Sequence, residues 1–165
     1  EAFCLSRGIP LDWFVLGPFD NPRRGEDYIG LDQDHGVGSR PDESRTFVGK
    51  DGQEIRWMPV PRREIRANGS IGLDQIIGGL ECLGYAYARF SVPHTGRYVI
   101  LAGSDDGCRM WVDGNEVFYL NATKGARADE YRITIELTAG EHDVLMAVDQ
   151  RFGAWMFFWR IIPEA

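Results

Sequence analysis

Helix signals are nearly missing from this chain of 165 residues. Only Asp74–Leu83 reads as a helix, and Gly78-Gly79 weaken it, since each glycine costs a helix interior about 1 kcal/mol. No apolar run approaches the ~18 residues of a membrane span. Basic charge is also short: 18 Lys and Arg stand against 25 Asp and Glu, a net charge of −7. That balance argues against nucleic acid or an anionic membrane as partner, because both need a basic patch.

Cysteine is scarce as well. The three thiols, Cys4, Cys82 and Cys108, cannot form a fully paired framework, and none are spaced as a zinc knuckle. A Cys4–Cys82 bridge stays open, while Cys108 reads as an inert core thiol. Hydrolase and nucleotide signatures are absent: no Gly-x-Ser-x-Gly, no glycine-rich phosphate loop and no His-Glu-x-x-His. His35, His94 and His142 each fall in a turn. The expectation is a protein that is not an enzyme. The chain opens on Glu1 rather than Met, so it is read as one module, 1–165, excised from a larger protein.

What is present is strand. Tyr85–Val92 alternates, with Ala86, Ala88, Phe90 and Val92 on one face and Tyr85, Tyr87 and Arg89 on the other. Tyr98–Ala102 is apolar on both faces, and Arg132–Leu137 turns Ile133, Ile135 and Leu137 inward. Trp13–Leu16 is a short apolar strand that Gly17-Pro18 should stop. These segments, with turn signals every 8–12 residues, predict an all-β antiparallel β-sandwich of jelly-roll type. Residues 20–53 carry almost no periodicity, and a loop this long is either functional or packed over the sandwich surface. Within it, Asp32-Gln33-Asp34-His35-Gly36 has the alternating acids of a calcium loop's start, without the later ligands; a solvated loop is the simpler reading.

The most informative stretch is Gly103–Tyr119. Cys108, Met110 and Val112 alternate with Arg109, Trp111 and Asp113. Asp113-Gly114 supplies the positive-φ pair of a tight hairpin, and Glu116–Tyr119 returns. Ahead of the strand, Asp105-Asp106-Gly107 sets two carboxylates side by side where a buried strand breaks into a loop.

The run Ser104-Asp105-Asp106-Gly107-x-x-x-Trp111-Val112-Asp113-Gly114-x-x-Val117 resembles the core signature of PA14-like β-sandwich domains, and Leu137–His142 fits that family's late turn. The likeness covers Gly84–Ile162. The opening Trp13–Asn21 instead resembles non-catalytic modules attached to bacterial polysaccharide-degrading enzymes. In PA14-like adhesins a consecutive Asp-Asp joined by a cis peptide binds calcium, and the calcium binds sugar hydroxyls. The resemblance therefore implies Asp105 and Asp106 as ligands of a calcium cofactor, against the simpler reading of a structural turn whose carboxylates cap backbone N–H groups.

Sugar-binding sandwiches use flat aromatic faces, because the C–H face of a pyranose packs on a π surface. Trp111, Trp155 and Tyr119 are the candidate platforms, with Arg109 and Asp113 as polar neighbours. The expected function is that of an extracellular, carbohydrate-binding accessory module. It would hold a neighbouring catalytic domain of the same chain near its polysaccharide or oligosaccharide. A structural spacer without sugar binding is the alternative, and an exposed apolar patch without a polar groove would favour it.

Overall fold

The alternation in the sequence is met by antiparallel strands in two facing sheets. The computed structural model describes residues 7–165. Its strands, in chain order, are β1 (Trp13–Asp20), β2 (Arg23–Arg24), β3 (Asp27–Tyr28), β4 (Phe47–Val48), β5 (Glu54–Ile55), β6 (Met58–Pro59) and β7 (Ser70–Gly72). There follow β8 (Cys82–Val92), β9 (Gly96–Asp105), β10 (Cys108–Val112), β11 (Asn115–Leu120), β12 (Tyr131–Leu137), β13 (Gly140–Gln150) and β14 (Met156–Pro163). One sheet has six strands in the order β11-β10-β13-β8-β1-β6, the other four in the order β12-β9-β14-β7. Among the described residues no helix is long and apolar enough to cross a membrane.

The inward faces make the core. Ala86, Ala88, Met110, Val112, Val144 and Met146 of the larger sheet meet Ile100, Ala102, Phe157 and Trp159 of the smaller one. Trp13 packs edge-on against Phe157 at 5.0 Å and Trp159 at 6.1 Å between ring centroids. Such aromatic contacts dominate the apolar burial of a small sandwich.

Two local expectations are corrected. β1 runs through Gly17-Pro18 rather than stopping there: its pairing with β8 shifts register between Leu16 and Phe19 and then resumes. A bulge of this kind accommodates a proline that cannot donate to the ladder. The expected helix Asp74–Leu83 is a single turn, α1 (Leu73–Ile76). Gly78 and Gly79 follow it at φ 77° and 108°, outside any right-handed helix, and Cys82 and Leu83 already belong to β8.

Among the described residues Cys82 and Cys108 are unbridged, and both are buried, which pushes the Cys82 thiol up to about 12 and the Cys108 thiol higher still. Cys4 lies outside the described residues, and with it the Cys4–Cys82 pairing.

Candidate functional site

The outer face of the six-stranded sheet is not bare. Residues 29–57 cross it as a strap, and Leu31, Phe47, Ile55 and Trp57 pack there on Leu16, Phe19, Tyr85 and Tyr87 as a second apolar cluster. This resolves the aperiodic segment: it lies over the sheet instead of projecting into solvent. Tyr85 and Tyr87 are both 4 % exposed beneath it.

Where the strap stops short of the β10–β13 edge, it leaves a groove of ≈470 Å³. The strap contributes Asp32 and Asp34, β10 contributes Arg109 and Trp111, β8 contributes Tyr85 and β13 contributes Asp143. Strand parity explains the membership. Cys108, Met110 and Val112 point into the core, so Arg109 and Trp111 must point out into the groove.

The polar contacts fix this geometry. The Arg109 guanidinium lies 5.0 Å from the Trp111 ring centroid and 5.9 Å from that of Tyr119. Arg109 Nε donates to Glu116 Oε1 at 2.5 Å and Nη1 to the Leu31 carbonyl at 3.0 Å, which ties the strap to β10. Tyr119 donates its hydroxyl to Asp32 Oδ1 at 2.7 Å. Asp143 Oδ2 accepts from Tyr87 Oη at 3.0 Å and from Arg40 Nε at 3.2 Å. Asp34 Oδ1 accepts the Gly36 N–H at 2.8 Å.

Each of the three carboxylates thus keeps one oxygen to which no described residue donates, and the groove is rich in free acceptors. His35 packs at a tilt on Phe19, 4.4 Å between ring centroids, with Nδ1 2.8 Å from the Tyr85 hydroxyl. Burial lowers its pKa against a weaker pull from Asp34, so it is neutral at physiological pH. Burial first, and the Asp143 carboxylate second, push the Tyr87 phenol up to about 12.

The structure thus gathers Arg109, Trp111 and Tyr119 at one place, but separates two other candidates from it. Trp155 is fully buried, its indole N–H 3.3 Å from the Val148 carbonyl and its ring against Gly84, where an added Cβ would lie 2.9 Å from Trp155 Cζ2. It is a core residue and presents no face to a ligand. Asp113 takes the first positive-φ position of the β10–β11 hairpin, at 50°. Its Oδ1 accepts the Asp143 N–H at 3.0 Å and its Oδ2 meets His142 Nδ1 at 2.6 Å, so it secures the turn. Sequence reasoning missed Asp32, Asp34, Tyr85 and Asp143 as groove residues. The one hint was the acidic run Asp32–Asp34, which resembles the start of a calcium loop but reads more simply as a solvated loop.

The acidic turn lies at the far end of β10. The Asp105–Asp106 peptide is cis. Asp106 is 3 % exposed, and both its oxygens accept main-chain N–H groups: Oδ1 from Lys124 at 3.0 Å and Oδ2 from Arg151 at 2.8 Å. Asp149, 1 % exposed, accepts from Gly107 N at 2.6 Å, Asn21 Nδ2 at 3.0 Å and Arg151 Nε at 3.1 Å. Burial, then the Asp106 charge, raises the Asp105 carboxyl to about 6, partly offset by Lys124. Among the described residues no three His, Cys, Asp or Glu side chains stand where they could hold one metal ion. A calcium ion takes six to eight oxygen ligands; here both Asp106 oxygens accept N–H groups, while no described residue donates to the Asp105 carboxylate.

Comparison with known proteins bears on the same region. Residues 86–143 match the PA14 domain family, the stretch that carries the Asp-Asp-Gly turn and the β10–β11 hairpin; the chain is PA14-like there. No curated protein matches the chain. Among solved structures, a β-glucosidase from Kluyveromyces marxianus in complex with glucose is similar at TM-score 0.52 and 12% identity, over 92% of this chain and 16% of that one. An anti-sigma factor domain-containing protein is similar at TM-score 0.48 and 24% identity, over 56% and 32% of the two chains. A PA14 sugar-binding domain from an RTX adhesin is similar at TM-score 0.35 and 26% identity, over 48% and 44%. The chain spans less than half the length of each. The first of these likenesses shows a shared fold.

Proposed function

We propose that this chain is a non-catalytic carbohydrate-binding module whose binding face is the groove between the strap and strands β8, β10 and β13. The observation that carries the reading is the half-exposed Trp111 in a groove whose walls include the carboxylates of Asp32, Asp34 and Asp143, each with an acceptor oxygen to spare. A saccharide offers what such walls lack: hydroxyl donors for Asp32, Asp34 and Asp143, and a C–H face for the indole. Arg109 covers part of the Trp111 ring and lends further N–H donors for ring or hydroxyl oxygens. The PA14 match, and the fold shared with part of a β-glucosidase, support this reading.

Binding of this kind is shallow, and its use is attachment. The module would keep a neighbouring catalytic domain near an extracellular polysaccharide, since linking two binding events raises the effective concentration of the second. The carboxylates set beside the Trp111 face favour binding over the spacer alternative, which calls for an apolar patch without a polar groove.

The test is isothermal titration with a polysaccharide and oligosaccharide panel, on the wild type and Trp111→Ala. Binding to at least one glycan, weakened tenfold or more by Trp111→Ala, supports the reading. Binding to none of them contradicts it.

A further inference from the structure

We infer that the Lys124 ammonium fills the place of a bound cation at the Asp105-Asp106 turn, so that this chain closes the turn with its own charge and needs no calcium there. The inference concerns the turn alone and is independent of the groove.

A cation at this sandwich end must be held by whatever oxygens the Asp106 and Asp149 contacts leave over. Two main-chain carbonyls and one carboxylate oxygen among them are already collected, while no described residue donates to the Asp105 carboxylate. Lys124 Nζ donates to the Ser104 carbonyl at 2.7 Å, the Gly125 carbonyl at 2.7 Å and Glu130 Oε1 at 2.5 Å. An ammonium has three donors and no lone pair, so three oxygens exhaust it. Its position is enclosed, with the side chain 18 % exposed and Nζ 5.2 Å from the Tyr131 ring centroid. Tyr131 Oη in turn lies 2.8 Å from Ser104 Oγ, which donates to the Asp106 carbonyl at 2.8 Å. Two main-chain carbonyls and one carboxylate around a cation are the ligand types a hard metal ion would take. Here they surround a primary amine carried by the same loop whose backbone N–H caps Asp106.

A second internal cation completes the arrangement. The Arg151 side chain is 9 % exposed, and it joins Asp149 to Asn121 Oδ1 and, at 2.6 Å, to Thr123 Oγ1. Its guanidinium lies 4.8 Å from the Tyr28 ring centroid. The acidic groups Asp106, Asp149 and Glu130 thus each meet a donor from residue 124 or 151, through the backbone or the side chain. Arg and Lys held in this way act as permanent counter-ions, which a chelator cannot remove.

The experiment is thermal unfolding of the module in chelator and in millimolar calcium, for the wild type and Lys124→Met. The wild-type midpoint is expected to coincide in the two buffers. Lys124→Met should unfold several degrees lower in chelator, roughly 5 °C for the loss of a partly buried charge-assisted contact. It should recover part of that loss in calcium, because the emptied oxygens then become available. A wild-type midpoint that rises in calcium overturns the inference. So does a Lys124→Met protein that matches the wild type, or one whose loss calcium does not relieve. Should Lys124→Met fail to fold, calorimetric calcium titration of the wild type decides alone: no heat of binding supports the inference, and a saturable heat overturns it.

Discussion

Tyr119 donates its hydroxyl to Asp32 across 87 positions of sequence, at 2.7 Å, and so joins the hairpin strand β11 to the strap. The contact closes one end of the groove, beside the Arg109–Leu31 hydrogen bond. Tyr119→Phe removes only the donor. Because the pair is exposed, global stability should change by less than about 1 kcal/mol. The local effect is larger: amide exchange of residues 31–36 should quicken, and glycan affinity should fall a few-fold. Unchanged exchange in that segment would show that the hydroxyl does not hold the strap.

The two tryptophans separate function from stability. Trp155→Ala empties a fully buried site and should cost about 3–5 kcal/mol in denaturant unfolding. Trp111→Ala, at a half-exposed site at the edge of the strap cluster, should cost about 1–2 kcal/mol and abolish binding. Equal losses of stability in the two variants would contradict the assignment of Trp111 to the groove.

Gly107, the last residue of the acidic turn, has no room for a side chain. An added Cβ would lie 2.5 Å from the Leu120 carbonyl and 3.0 Å from Asp149 Oδ1. Its N–H also donates to that carboxylate at 2.6 Å. Gly107→Ala is therefore expected to lose more than about 2 kcal/mol of stability, measured by urea unfolding, whereas Gly114→Ala meets open space and strains only its positive φ of 81°. The second loss should be near 1 kcal/mol.

His142 gives the fold a pH dependence. Burial disfavours its charge, but the Thr138 carbonyl at Nε2 (2.7 Å) and the Asp113 carboxylate at Nδ1 (2.6 Å) outweigh it and hold the pKa above 6.5. Both partners accept, so the charged imidazole, with an N–H on each ring nitrogen, is the form that satisfies both. A raised pKa stabilises the fold fully below the unfolded value of about 6.5, and the contribution is lost as pH rises through the folded value. Asp113 moves the other way: burial opposes it, but His142 and the Asp143 N–H lower its pKa, so its contribution is lost as acid titrates it. The thermal midpoint should therefore fall between pH 6 and 8, and this slope should shrink in His142→Gln. An identical slope in that variant would contradict the assignment.

What the sequence disclosed and what it hid follow from range. Period-2 alternation at Cys108, Met110 and Val112 settles which way Arg109 and Trp111 face, and Asp113-Gly114 announces its own hairpin; both are local. Trp155 was ambiguous because the residues after it are apolar on both strand faces. The cue that decides it is Gly84, a missing side chain some seventy positions earlier against which the indole packs. The groove's carboxylates were hidden for the same reason. Asp32 and Asp143 become neighbours only when the strap crosses the sheet, and nothing in 29–57 is periodic enough to announce that path. Lys124 lies in an aperiodic stretch, where its three carbonyl and carboxylate partners cannot be read from spacing.

The most direct measurement is calorimetric titration of the wild-type module with the glycan panel, repeated with Trp111→Ala and in chelator. The account predicts saturable binding to at least one saccharide, undiminished in chelator and lost in Trp111→Ala. Absence of binding to every glycan, or binding untouched by Trp111→Ala, would contradict it.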